Sequence, residues 1–167
     1  MEMKKITNNK ERGMTLIELI VAIGIFGLVS FVIFGIFILA TGYQRRIIAV
    51  KNVEDNLRFA MESMAREIRT GRDFTGGGSQ LNFTNAIDSK VIYRLNGGAV
   101  EKSETSSYDD PNYLRVTGPE TTIDYLTFVL MGQQPRVTIA MGATSKVGAQ
   151  SSTLKVQTTV SSRLLKN

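Results

Sequence analysis

Leu19–Ala40 reads LIVAIGIFGLVSFVIFGIFILA: 22 residues without a charge, in which Ser30 is the only clearly polar side chain. At about 1.5 Å per residue a helix of this length measures roughly 33 Å, enough to cross a bilayer core of about 30 Å. The segment is therefore expected to span a membrane. A secretory signal peptide is the rival reading, because Lys4, Lys5, Lys10 and Arg12 precede the run. Such a peptide has an apolar region of only about 7 to 15 residues and a small-x-small cleavage site, whereas this run is longer and leads into a second helix. Four Lys/Arg precede the span and Arg45, Arg46 and Lys51 follow it, which orients the start of the chain in the cytoplasm by the positive-inside rule.

Beyond the span, Tyr43, Ile47, Val50, Val53, Leu57, Met61, Met64 and Ile68 follow one another at spacings of three or four, the mark of a single buried helix face. Arg45, Lys51, Asp55, Arg58, Glu62, Arg66 and Arg69 occupy the other side and read as a solvated face, with Glu54 and Arg58, and Glu62 and Arg66, in favourable i,i+4 order. Gly71 and then Thr75-Gly76-Gly77-Gly78-Ser79 mark the end of this helix. These glycines lack the Lys and Ser/Thr of a phosphate loop and read as flexible connectors.

After the glycines the periodicity changes to short β-like runs: Gln80–Thr84, Val91–Leu95, Tyr113–Thr117, Ile123–Leu130, Arg136–Met141 and Thr153–Val160. Leu95-Asn96-Gly97-Gly98-Ala99 predicts a hairpin turn, and Gly118-Pro119 a second break. Leu154, Val156 and Val160 alternate with Lys155, Gln157 and Thr159, so one face should meet a core and the other water. Ile123–Leu130 is apolar on nearly both faces, which suits a central strand. The fold expected is α+β: a long N-terminal helix, half transmembrane and half amphipathic, packed on a C-terminal antiparallel β-sheet.

Glu18 interrupts the apolar start of the helix. A charged side chain at the centre of a bilayer costs at least about 2.5 to 3.5 kcal/mol, although one near the interface can snorkel to water at little cost. Lys10-Glu11-Arg12-Gly13-Met14-Thr15-Leu16-Ile17-Glu18 resembles the class III signal of type IV pilins and type II secretion pseudopilins, with a basic leader, Gly, an apolar residue and then Thr-Leu-Ile-Glu opening a long apolar helix. The resemblance implies that a prepilin peptidase cuts between Gly13 and Met14, removing 13 of the 167 residues and leaving 154, and methylates the new amino terminus at Met14. Glycine at 13 leaves the backbone open to close approach by a protease. The new α-amine, with an unperturbed pKa near 7.7 to 8.0, is largely protonated at neutral pH. In the family the corresponding Glu compensates the amino terminus of a neighbouring subunit, a role the resemblance gives to Glu18. Major pilins often carry a Pro near Gly35; here no Pro precedes Pro111. Asn56-Leu57-Arg58-Phe59-Ala60-Met61-Glu62-Ser63-Met64-Ala65-Arg66-Glu67-Ile68-Arg69 is similar to the stalk of J-type pseudopilins and PilW-like minor pilins, which narrows the implied role to a minor subunit.

The organisation implied is a removed basic leader at 1–13, a hydrophobic transmembrane and assembly helix at 14–42, an amphipathic helix at 43–72 and a β-rich globular domain at 73–167. Implied partners are the prepilin peptidase, other pilins or pseudopilins, an inner-membrane assembly platform and membrane lipid before assembly. The implied location is the bacterial inner membrane, single-pass with the C-terminal domain outside the cytoplasm, and then a pilus or pseudopilus. With no His and no Cys, triads, thiol nucleophiles, disulfides and Cys/His metal sites are excluded; no enzymatic role, cofactor or metal is expected. Asp109-Asp110-Pro111-Asn112 has oxygens for Ca²⁺ but lacks the spacing of a multi-ligand loop and reads as a turn. Ser151, Ser152, Ser161 and Ser162 near Lys155 and Lys166 are thin grounds for a Ser/Lys nucleophile. The chain carries a net charge of +5, with seven basic and five acidic residues over 43–74 and nine and seven over 75–167. That is no clustered stripe for nucleic acid. The alternatives are a tip module binding DNA or a surface through Arg94, Arg115 and Arg136, and a generic membrane-anchored domain, enzymatic or not.

Overall fold

The computed structural model describes residues 13–109, 111–132 and 136–163; the basic residues of the leader lie outside them. One helix, α1, runs Leu16–Thr70, and eight strands follow: β1 Arg72–Gly77, β2 Gln80–Thr84, β3 Lys90–Asn96, β4 Ala99–Thr105, β5 Tyr113–Arg115, β6 Thr121–Met131, β7 Arg136–Val147 and β8 Gln150–Ser161. The chain divides into two compact units at Thr41/Gly42. In the first unit the apolar side chains from Met14 to Leu39 are all exposed, because a helix that is hydrophobic all round has no polar side to give to water and no face distinguished for a core.

In the second unit α1 buries Ala49, Val53, Leu57, Ala60, Met64 and Ile68 against Leu81, Phe83, Tyr93, Val100, Leu126, Phe128, Ile139 and Met141. The long antiparallel strands present alternate apolar residues to this stripe. The buried line differs from the expected one at its start and at Met61. Tyr43 and Ile47 are exposed at 67% and 57%, since the strands first cover α1 at Ala49. Met61 is only partly buried and Ala60 takes the core position, because the helix face turned to the strands is rotated away from Met61. The charged face is exposed as expected, and Arg58 donates to Glu54 at 2.8 Å.

The strands form two antiparallel sheets rather than one, ordered β1-β2-β3-β4-β5 and β6-β7-β8. The chain leaves the first sheet after β5 at Gly118-Pro119, where Pro119 has no N–H to give to a ladder. Two strands were not foreseen. β4 looks polar in sequence because Glu101, Lys102 and Glu104 interrupt it, yet it pairs residue for residue with β3 through the expected turn. Gly97 and Gly98 lie at φ 54° and 71°, the positive values that both central residues of a type I′ hairpin require. β1 overturns the reading of the triple glycine as a flexible connector, since Thr75, Gly76 and Gly77 pair with Asn82, Leu81 and Gln80. Ile123–Leu130 is not central either, for β7 occupies the middle of the second sheet. The other edge of β6 is closed by two turns of the first sheet. Gly78 and Phe128 exchange backbone hydrogen bonds at 3.0 and 2.7 Å, and Ile123 N–H donates to Gly98 O at 2.8 Å. Only one face of β6 is buried, through Ile123, Leu126 and Phe128, while Val129 and Met131 are exposed.

Candidate functional site

The residues singled out in the sequence, Gly13, Met14 and Glu18, lie at the start of α1. Gly13, Met14 and Thr15 precede the helix, and a Cβ placed on Gly13 would meet nothing within 4 Å. The bond between Gly13 and Met14 thus lies in non-helical backbone, uncrowded at Gly13. Thr15 and Glu18 close a reciprocal pair: Glu18 N–H donates to Thr15 Oγ1 at 3.3 Å, and Thr15 N–H donates to Glu18 Oε2 at 3.5 Å. This is the capping box of the pattern Thr-x-x-Glu, in which N-cap and third helical residue satisfy each other's otherwise orphaned N–H groups. Leu19 N–H donates to Thr15 O at 3.1 Å and starts the regular ladder.

Four residues apart, Met14 and Glu18 would share one face of a continued helix; with the helix stopped at Thr15, Met14 lies before the N-cap and shares no helical face. The spacing Thr15-Leu16-Ile17-Glu18 carried this signal in the sequence, and a reading that attended only to charge missed it. Glu18 is also favourably placed beside the positive end of the helix dipole.

The remaining candidates do not assemble into a site. Arg94 donates to Glu101 at 2.9 Å and lies 3.3 Å from the Tyr113 ring centre, and Arg115 donates to Thr117 O and Gly118 O at 2.8 and 3.2 Å. Of the three arginines offered for DNA, two are engaged within the fold. Asp109 accepts from Ser107 Oγ at 2.7 Å, a turn arrangement; Asp110 lies outside the described residues, as does Lys166. Among the described residues no three acidic side chains are grouped to hold a metal ion. Ser162 donates to Gly71 O at 2.7 Å, which fixes the end of β8 to the end of α1.

Two further features join α1 to the strands. Glu67 on α1 accepts from Lys102 Nζ at 2.7 Å and from Tyr93 Oη at 3.1 Å, while Lys102 also donates to Glu104 at 2.8 Å. Burial opposes the charge of Lys102, but its hydrogen bonds to Glu104 and Glu67 prevail and raise its pKa. The bond from Lys102 holds Glu104 below the usual carboxylate range. Burial, the larger cause, and the neighbouring Glu67 push the Tyr93 phenol well above its ordinary value. A groove of about 470 Å³ between α1 and β8 has an apolar floor that includes Leu57, Met61, Leu154 and Val156, with Glu54, Arg58, Glu62 and Arg69 at its rim. Glu54 is held by Arg58, so the groove offers a surface for packing rather than a pair of acids poised for proton transfer.

No curated protein and no solved structure matches the chain. A family model, the prokaryotic N-terminal methylation motif, matches residues 8–34, a stretch that contains Gly13, Met14, the capping box and more than half of the apolar run. The helix that begins there is long and apolar enough to cross a membrane. The chain therefore carries a prepilin-type N-terminal methylation motif at the head of its long helix.

Proposed function

We propose that this protein is a structural minor pilin or pseudopilin, cut between Gly13 and Met14, methylated at Met14 and assembled through its apolar helix into a type IV pilus or type II secretion filament. The observation that carries the reading is the motif over residues 8–34, a stretch in which Gly13 and Met14 stand in non-helical backbone immediately before the Thr15 cap. The missing Pro near Gly35 and the stalk-like stretch Asn56–Arg69 favour a minor subunit. The prepilin peptidase, sibling pilins and an inner-membrane platform are the partners this role requires. It requires no catalysis by the chain itself.

Cleavage turns the Met14 N–H into an α-amine that is mostly protonated at neutral pH. In the uncut chain Glu18 serves Thr15 of its own helix. In a bundle of such helices its carboxylate would face the new positive terminus of a neighbour, and a charge left unpaired there would be heavily penalised. Glu18→Gln separates the two duties, because Gln also completes a capping box but brings no charge. The expected result is normal cleavage with defective incorporation into filaments; wild-type incorporation of Glu18→Gln would refute the pairing role.

A further inference from the structure

We infer that the end of the second unit next to the apolar run is a seat for anionic phospholipid headgroups, formed by α1 residues 43–51 together with the tip of the β7–β8 hairpin. The inference rests on the reading that Leu19–Ala40 spans the bilayer. Arg45, Arg46 and Lys51 on α1 and Lys146 on β7 are all exposed, and none of them forms an ion pair among the described residues. Arg45 lies against the hairpin tip: a Cβ on Gly148 would stand 3.1 Å from its Nη1. The two elements therefore present their cations at one end of the unit.

Neither element carries an acid of its own, and the acids across the sheet, Glu120 and Asp124, stand beside Ser145 and Thr144 of β7. Between Glu18 and Glu54 the sequence has no Asp or Glu, and none occurs from Tyr125 to the last residue, so both elements at this end are purely basic. The acids nearest along α1, Glu54 and Asp55, begin one turn beyond Lys51. Tyr43, Ile47 and Ile48 are exposed at 67%, 57% and 48% within the same turns. An aromatic ring and apolar side chains interleaved with cations suit the interfacial layer of a membrane, and this gives the unburied start of the amphipathic stripe a use that the fold does not.

Distance supports the assignment. Tyr43 and Arg45 come three and five residues after Ala40, about 5 and 8 Å at helical rise, which matches a headgroup layer of roughly 5 to 8 Å on each side of the hydrocarbon core. Lys51, about 16 Å beyond Ala40, remains within about one Debye length, 8 to 10 Å, of the headgroup plane. Negative lipid surfaces attract such juxtamembrane cations.

The chain contains no Cys, so Ala149→Cys gives a unique attachment point at the exposed hairpin tip for an environment-sensitive fluorophore. The labelled full chain would be reconstituted in phosphatidylcholine vesicles with and without phosphatidylglycerol. The label should report headgroup contact when phosphatidylglycerol is present. Each replacement among Arg45→Gln, Arg46→Gln, Lys51→Gln and Lys146→Gln should lower the seated-to-unseated ratio by about fivefold. Inorganic phosphate at matched ionic strength should leave the signal unchanged; its displacement by phosphate would overturn the assignment to lipid. A signal indifferent to phosphatidylglycerol and to the four substitutions would also overturn it. A second label at Phe31→Cys keeps the failures apart. If it is buried in both vesicle types while the hairpin label ignores lipid charge, only this inference fails; if it is not buried, the anchor fails and takes the seat with it.

Discussion

The two halves of α1 reach helicity by different routes. From Leu16 to Thr41 almost every side chain is apolar and exposed. From Gly42 to Thr70 the apolar residues form a stripe, and six of them are buried against the strands. The first half has hydrophobicity without direction, which only a surrounding solvent or a set of like helices can satisfy. The second half has hydrophobicity with direction, and its partner is in the same chain. The two halves thus differ in the angular distribution of their apolar residues as well as in their number.

Substitution of matched residues should separate the halves most sharply. Leu57→Ala removes a fully buried side chain and should cost the second unit about 2 to 5 kcal/mol, read by urea unfolding of the full chain in neutral micelles. Phe31→Ala should leave the same transition within about 0.5 kcal/mol. An equal effect of the two would erase the distinction. Next in size is Lys102→Met, which leaves Glu67 and Glu104 without their shared cation and should cost about 1 to 2 kcal/mol, a range discounted for partial exposure. Tyr93→Phe should cost about 1 kcal/mol by removing the bond to Glu67.

The same cluster sets two pH limits on the second unit. The Tyr93 phenol is raised in the folded state, so its contribution is complete below the ordinary tyrosine pKa of 10.0 and is lost as the pH rises above it. The loss should flatten in Tyr93→Phe. Glu104 is depressed, so its contribution is complete above the ordinary value of 4.5 and disappears as the pH falls through the lowered one. In Lys102→Met that acid limb should flatten, followed by circular dichroism. The smallest effect belongs to the first half: Thr15→Ala should loosen the first turn by about 0.5 to 1 kcal/mol, seen as faster amide exchange at Ile17 and Glu18, with the second unit unchanged.

Where periodicity and composition are strong, the sequence was legible. The apolar run, the amphipathic stripe from Val53 onward, six of the eight strands and the Gly97-Gly98 hairpin follow from spacing alone. The misreadings have particular causes. β4 has polar side chains because Lys102 and Glu104 join Glu67 of α1 while Glu101 accepts from Arg94, and β1 has glycines because the turn into β2 holds Gly76, Gly77 and Gly78 at φ 95°, 139° and 65°. Neither reason is visible without the partner strand. At the helix start the reverse holds. Thr15-Leu16-Ile17-Glu18 is a purely local pattern and announces its own cap, yet the charge of Glu18 drew the reading toward a distant partner.

The central claim, that the first half of α1 is the product of a specific cut, is tested most directly by the intact mass and amino-terminal residue of the protein isolated from membranes of a host with a prepilin peptidase. A chain beginning at N-methylated Met14 is the predicted result. A chain still beginning at Met1 in those membranes would contradict it and leave the span an ordinary anchor.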